Sequence, residues 1–143
     1  VTCLYASLNH LRDSAELTAT FGRVAAHLRP GGVLIFDVNT RDDFEVLWRE
    51  AATDTGPGFT IQRRYEWRAD DPWTTMYLTI EREVEGSIQR SSDSLRARWI
   101  EDRELAGALT QAGLIPRETT PFNPFPEVPG GAIKQLWTAI RPK

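Results

Sequence analysis

Two stretches decide the fold class: Val1-Thr2-Cys3-Leu4-Tyr5-Ala6 and Arg29-Pro30-Gly31-Gly32-Val33-Leu34-Ile35-Phe36-Asp37-Val38. The first is apolar and partly β-branched, and reads as a buried strand already under way at Val1. Between the two, Asp13 with Glu16 three residues later is a helix-start signal. Leu17, Phe21, Val24 and Leu28 then recur at helical spacing and share one face. The Pro30-Gly31-Gly32 turn stops that helix, and Val33–Val38 is too apolar to alternate, as a strand buried on both faces is. Strand, amphipathic helix and buried strand make a βαβ unit with parallel strands and a right-handed crossover.

Working outward, Asn39 ends the second strand and Thr40 caps a helix with Phe44, Leu47, Trp48 and Ala51 on its apolar face. Gly56-Pro57-Gly58 breaks it, and the period changes from 3.6 to 2. Phe59, Ile61, Arg63, Tyr65 and Trp67 share one face of a strand. Met76, Leu78, Ile80 and Val84 share one face of the next, and the Glu85-Gly86 turn leads into Ser87–Ile100. These predict three antiparallel strands with one wet face. Leu105, Ala108, Leu109 and Ala112 form a last amphipathic helix ended by Gly113. Leu114–Thr120 and Ala132–Arg141 read as strands, and the proline-rich run 121–131 as a loop.

The 143 residues suit one domain or part of one; 41% are hydrophobic and 26% charged, which excludes a disordered tail. The net charge of −3 and the absence of a Lys/Arg block point away from nucleic acid. No apolar run approaches the ~20 residues of a membrane span. The single cysteine, Cys3, excludes an internal disulfide, and with two histidines it makes no metal motif. This composition suits a reducing cytoplasm. A glycine-rich phosphate loop and a nucleophile elbow are both missing.

In open parallel sheets ligands bind at the carboxyl ends of the strands. Leu4–His10 and Asp37–Arg41 occupy such ends. On pattern alone, Ser7 and Asn9 read first as turn formers and Asp37 as satisfying loop amides. His10 is open to capping a carbonyl, His27 to a bland place beside a helix stripe, and Tyr65 and Trp67 to core packing.

Val1-Thr2-Cys3-Leu4-Tyr5-Ala6-Ser7-Leu8-Asn9-His10-Leu11, a helix, and then Leu28–Asp37 together resemble class I S-adenosylmethionine-dependent methyltransferases. In that family they are the fourth strand, its helix, the L-x-P-G-G turn and the fifth strand. The likeness is greatest to small-molecule N-methyltransferases of the glycine and amino-sugar groups, which share the Cys-Leu-x-x-Ser-x-x-His-Leu run. Ala112-Gly113-Leu114 matches the family's turn into its closing hairpin.

The resemblance implies an α/β fold: the C-terminal portion of a Rossmann-like methyltransferase sheet with an inserted three-stranded antiparallel lobe. Residues 1–58 and 101–143 would form the core and 59–100 the lobe on the substrate side. It implies a methyltransferase whose cofactor is S-adenosyl-L-methionine and whose acceptor is a small molecule, most naturally an amine. Leu4, Tyr5, Ala6 and Ser7 match cofactor-lining positions. His10 matches a residue near the methionine end and is the candidate base. Asn39 and Arg41 would face the acceptor, and Tyr65 and Trp67 would wall its pocket. No metal, nucleic acid or membrane enters, and two copies would pair through the lobe.

The family's glycine-rich first loop and ribose-holding acid have no counterpart here. The chain is therefore expected to be part of a longer enzyme and to bind cofactor poorly alone. Its first strand would form an apolar edge, with Leu17, Phe21 or their neighbours partly exposed, and the chain would self-associate. The competing expectation is a non-enzymatic α+β module that holds a small ligand on the antiparallel sheet.

Overall fold

A computed structural model describes residues 1–48, 51–124 and 134–143. Two four-stranded sheets are present among them. The first runs in the order β1 (Thr2–Cys3), β2 (Val33–Asn39), β8 (Lys134–Ile140), β7 (Ile115–Phe122). The second runs β3 (Ala52–Gly56), β4 (Phe59–Trp67), β5 (Trp73–Val84), β6 (Ser87–Arg98).

The opening βαβ unit forms as its pattern predicts. Helix α1 spans Ser14–His27, and the Asp13 carboxylate caps it by accepting from Glu16 N–H at 2.8 Å. β1 and β2 pair in parallel, Thr2 opposite Ile35 and Cys3 opposite Phe36. β1 is shorter than expected: it ends at Cys3, and Tyr5 and Ala6 turn into the left-handed region with φ of 62° and 54°. A short 3-10 helix, Ser7–His10, follows.

Helix α3 (Asp102–Gln111) lies beside α1. Together they cover one face of the first sheet, where Leu17, Phe21, Leu105 and Leu109 meet Leu34, Phe36 and Val38. Phe36 sits between the rings of Phe21 (5.4 Å) and Trp137 (6.0 Å, stacked). The expected exposure of Leu17 and Phe21 is corrected: they are 0% and 1% exposed, because α3 covers the same helix face. Gly113, at φ 77°, closes α3 in the left-handed turn that favours glycine and lets Leu114 N–H bond Leu109 O.

Thr40 caps α2 (Arg41–Leu47) by accepting from Asp43 N–H. This helix is shorter than the sequence suggests. Ala51 is exposed and outside it, and Ala52 opens β3, a fourth strand of the lobe beyond the three expected. β3 pairs with β4 from Ala52↔Arg63 to Gly56↔Phe59, and the Arg63 guanidinium donates to the Asp54 carboxylate across the pair, with few apolar residues to announce the strand. β5 and β6 form a long hairpin from Trp73↔Arg98 to Val84↔Ser87. Of the expected loop 121–131, Pro121 and Phe122 belong to β7, and 125–131 lie outside the described residues, as do Ala132 and Ile133. Among the described residues no helix is long and apolar enough to cross a membrane.

The lobe is bound to the first sheet by Arg98, at the end of β6. Its guanidinium donates to Leu11 O at 3.0 Å and to both Glu104 oxygens of α3 at 3.1 and 2.7 Å. Ser14 of α1 donates to the same carboxylate at 2.8 Å. The end of β6 is thereby held against the loop that follows β1.

Candidate active site at the carboxyl ends of β1 and β2

The loop after β1 presents Leu4 (44% exposed) and Tyr5 (76%) to solvent, while Ala6 beneath them is buried. Left-handed φ at two consecutive residues that carry side chains costs roughly 1–3 kcal/mol each and marks a conformation imposed by its surroundings. Several bonds impose it. Ser7 Oγ donates to Leu4 O at 2.9 Å, and Asn9 N–H to Ala6 O at 3.0 Å. Ala6 N–H donates to Asp37 Oδ2 at 3.1 Å in a buried bond. A hydrogen bond to a charged partner is worth about 1.5–3 kcal/mol, enough to offset much of the strain.

Asn9 is fully buried and joins three segments. Its Oδ1 accepts from Asn39 N–H at 2.9 Å, and its Nδ2 donates to Asn39 O at 3.3 Å and Arg98 O at 2.7 Å. The exposed His10 uses Nδ1 to reach Arg96 O of β6 at 2.7 Å. A carbonyl oxygen only accepts, so Nδ1 carries the proton. In a neutral ring the lone pair then sits on Nε2.

Asn39 is buried, and its Oδ1 accepts from Lys134 Nζ at 2.6 Å. Lys134 also lies 3.6 Å from Asp37 Oδ2. Asp43 is buried close by. Burial pushes its carboxyl up to about 6; Lys134 pulls it down and Asp37 raises it further. Asp37 Oδ1 and Asp43 Oδ1 have no hydrogen-bond partner among the described residues.

Arg41 spans from α2 to the lobe. It bonds Glu45 at 2.9 Å and Ala69 O at 3.3 Å, and its guanidinium lies 5.6 Å from the Trp99 ring centre. Ala69 lines a cavity of about 400 Å³ with Tyr65, Trp67 and Arg68. Tyr65 touches Trp48, just past the end of α2, ring centres 5.6 Å apart, and burial pushes its phenol up, so the hydroxyl keeps its proton. A larger groove of about 740 Å³ lies between α1 and α3, lined by Ser14, Thr18, Arg103 and Gly107 among others.

The structure thus gathers Leu4, Tyr5, Ala6, Ser7 and His10 on one loop, and Tyr65 and Trp67 on one cavity, with Arg41 bonded to the Ala69 carbonyl of its lining. Asn39 faces Lys134. Sequence reasoning gave no part to Asp43, Lys134 or Arg98. A charge directly after the apolar run Val33–Phe36 was the one local signal, and it pointed to Asp37.

No protein-family model matches the chain. A stretch of 37 residues, 26% of the chain, is 46% identical to the dTDP-3-amino-3,6-dideoxy-alpha-D-glucopyranose N,N-dimethyltransferase of Streptomyces fradiae and covers 14% of that protein. Solved structures match almost throughout. An S-adenosylmethionine-dependent methyltransferase from Clostridium acetobutylicum superposes with a TM-score of 0.80 at 19% identity, over 99% of this chain and 57% of that one. A sugar N-methyltransferase from Streptoalloteichus gives 0.73 at 22% identity, over 100% of this chain and 56% of that one. An amino pentose methyltransferase from Micromonospora echinaspora, solved with its methyl donor, gives 0.68 at 23%, over 99% and 57%. The chain therefore spans a little over half the length of the structures it matches. It carries, over that span, the fold of the S-adenosylmethionine-dependent methyltransferases.

Proposed function

We propose that this chain forms the acceptor side and one wall of the donor site of an S-adenosylmethionine-dependent methyltransferase that methylates the amino group of a small molecule. The observation that carries the reading is the exposed, strained Leu4–His10 loop at the carboxyl end of a parallel strand, in a fold shared with such enzymes. The loop offers an apolar shelf and backbone, with no lysine or arginine, which fits a phosphate-free nucleoside. S-Adenosylmethionine, when bound, supplies an activated methyl group on a sulfonium.

Leu4, Tyr5, Ala6 and Ser7 line that donor. The acceptor rests in the cavity of Tyr65 and Trp67, with Arg41 holding the Ala69 carbonyl of its wall. An ammonium has no lone pair, so the acceptor must lose a proton before it attacks. His10 Nε2 takes it, while the bond to Arg96 O fixes the ring. Holding the amine in line with the methyl group does most of the rest. The identity with an amino-sugar N,N-dimethyltransferase favours an amino sugar as acceptor. The same proposal places the enzyme in the cytoplasm and pairs two copies through β6, whose residues 87–96 are all exposed. The comparisons do not favour a non-enzymatic binding module.

The test is methyl transfer from labelled S-adenosylmethionine by the complete protein, to amino sugars and to their hydroxyl analogues. Transfer to the amine alone is expected. In His10→Asn, whose amide keeps a donor for Arg96 O, kcat should fall about 100-fold at pH 7 and recover as pH approaches the amine's own pKa. An unchanged kcat would remove His10 from the chemistry.

A further inference from the structure

The Tyr5–Ala6 turn is tied into a closed ring of contacts. Ala6 N–H donates to Asp37 Oδ2 at 3.1 Å, and Lys134 Nζ stands 3.6 Å from that same oxygen. Lys134 donates to Asn39 Oδ1 at 2.6 Å. Asn39 exchanges bonds with the Asn9 side chain, and Asn9 N–H returns to Ala6 O at 3.0 Å. Asn9, Asn39, Asp37 and Lys134 are all buried, Asp37 at 1% exposure. The bond that Ala6 N–H donates to Asp37 reaches another strand and ends on a carboxylate. The core does not ask for a carboxylate here: Leu34, Phe36 and Val38 fill it from the opposite face of β2. A buried ion pair is a weak source of stability, so its value lies in what it fixes.

We infer that Asp37, with Lys134 as its counter-charge, is a positioning residue of the donor site, holding Tyr5 and Ala6 in their left-handed turn so that Leu4–Ser7 present a set edge to the methyl donor. This rests on the proposed function, and it predicts a loss of donor affinity rather than of chemistry.

The test uses Asp37→Asn, which keeps an acceptor oxygen and drops the charge, and Asp37→Ala, which drops both. In the complete protein, amide exchange at Ala6 should quicken about tenfold or more in Asp37→Ala and less in Asp37→Asn. In the complete enzyme, KM for S-adenosylmethionine should rise about tenfold in Asp37→Ala and several-fold in Asp37→Asn, with kcat changed much less. Adding Ala6→Gly should recover part of that affinity, because glycine takes positive φ without steric cost. A role confined to stability would not produce the KM-against-kcat split or the rescue. If Asp37→Ala fails to fold, Asp37→Asn carries the test. Unchanged Ala6 exchange overturns the inference whatever the donor does. Lost protection with unchanged KM overturns it too, while leaving methyl transfer by the wild-type enzyme intact. Absence of any transfer by the wild type sinks the functional reading and the role together.

Discussion

At the residue scale, Asp43 gives the clearest pH signature. Its folded carboxyl is raised to about 6 by burial, so the fold retains a proton that the unfolded chain has already lost. Stability from this group is therefore full below about pH 4, falls as pH rises to about 6 and is level beyond. Asp43→Asn should flatten that slope and raise stability at pH 7 by about 1–3 kcal/mol. Urea unfolding at pH 4, 5, 6 and 7 reads both, and parallel profiles for the two proteins would contradict the assignment. Asn9 makes the opposite case. Its buried amide satisfies groups of β2 and β6 at once, and Asn9→Ala leaves Asn39 N–H and Arg98 O bare. That should cost about 2–4 kcal/mol, seen as a lower urea midpoint. Neither role was readable beforehand. Asn9 sits among turn-forming residues, and Asn39 meets Lys134 across 95 residues of chain.

At the scale of elements, the β5–β6 hairpin turns through Glu85 (φ 51°) and Gly86 (φ 76°), both left-handed, as a two-residue type I′ turn requires. Glycine is suited to it and glutamate is not. Glu85→Asn should stabilise the protein by about 0.5–1 kcal/mol, measured as a shift in urea midpoint at constant m-value. Elements were legible where their signals were local. Asp13 and Thr40 cap the helices they precede, and the period-2 runs of β4 and β5 pair in the expected antiparallel sense. β3 was missed because Ala52-Thr53-Asp54-Thr55-Gly56 has no apolar alternation and is recruited by the backbone of β4. β1 was overextended because Leu4, Tyr5 and Ala6 look like strand. A carboxylate on the neighbouring strand captures Ala6 N–H and turns the chain, and no one-dimensional pattern records that.

At the scale of the whole molecule, the Arg98–Glu104 pair couples the lobe to the helical face of the first sheet. The Arg98 guanidinium and its hydrogen bonds hold Glu104 below the usual carboxylate range. That stability is present above the ordinary glutamate pKa and lost as pH falls through the depressed one. Arg98→Met should cost about 2–4 kcal/mol, less than a fully buried pair because Glu104 keeps 22% side-chain exposure. The added change Glu104→Gln should return part of it, and simple additivity would argue against direct coupling. This lock also bears on function, since it sets the end of β6 against Asn9 and His10. The central claim is that the methyl donor meets this chain at the loop after β1. It is tested most directly by amide chemical-shift mapping of the complete protein titrated with S-adenosylhomocysteine. The account predicts shifts concentrated at Leu4–His10 and Asp37–Asn39, with Ser14, Thr18, Arg103 and Gly107 of the α1–α3 groove unmoved. Shifts centred on that groove, or none at Leu4–His10 at saturation, would contradict it.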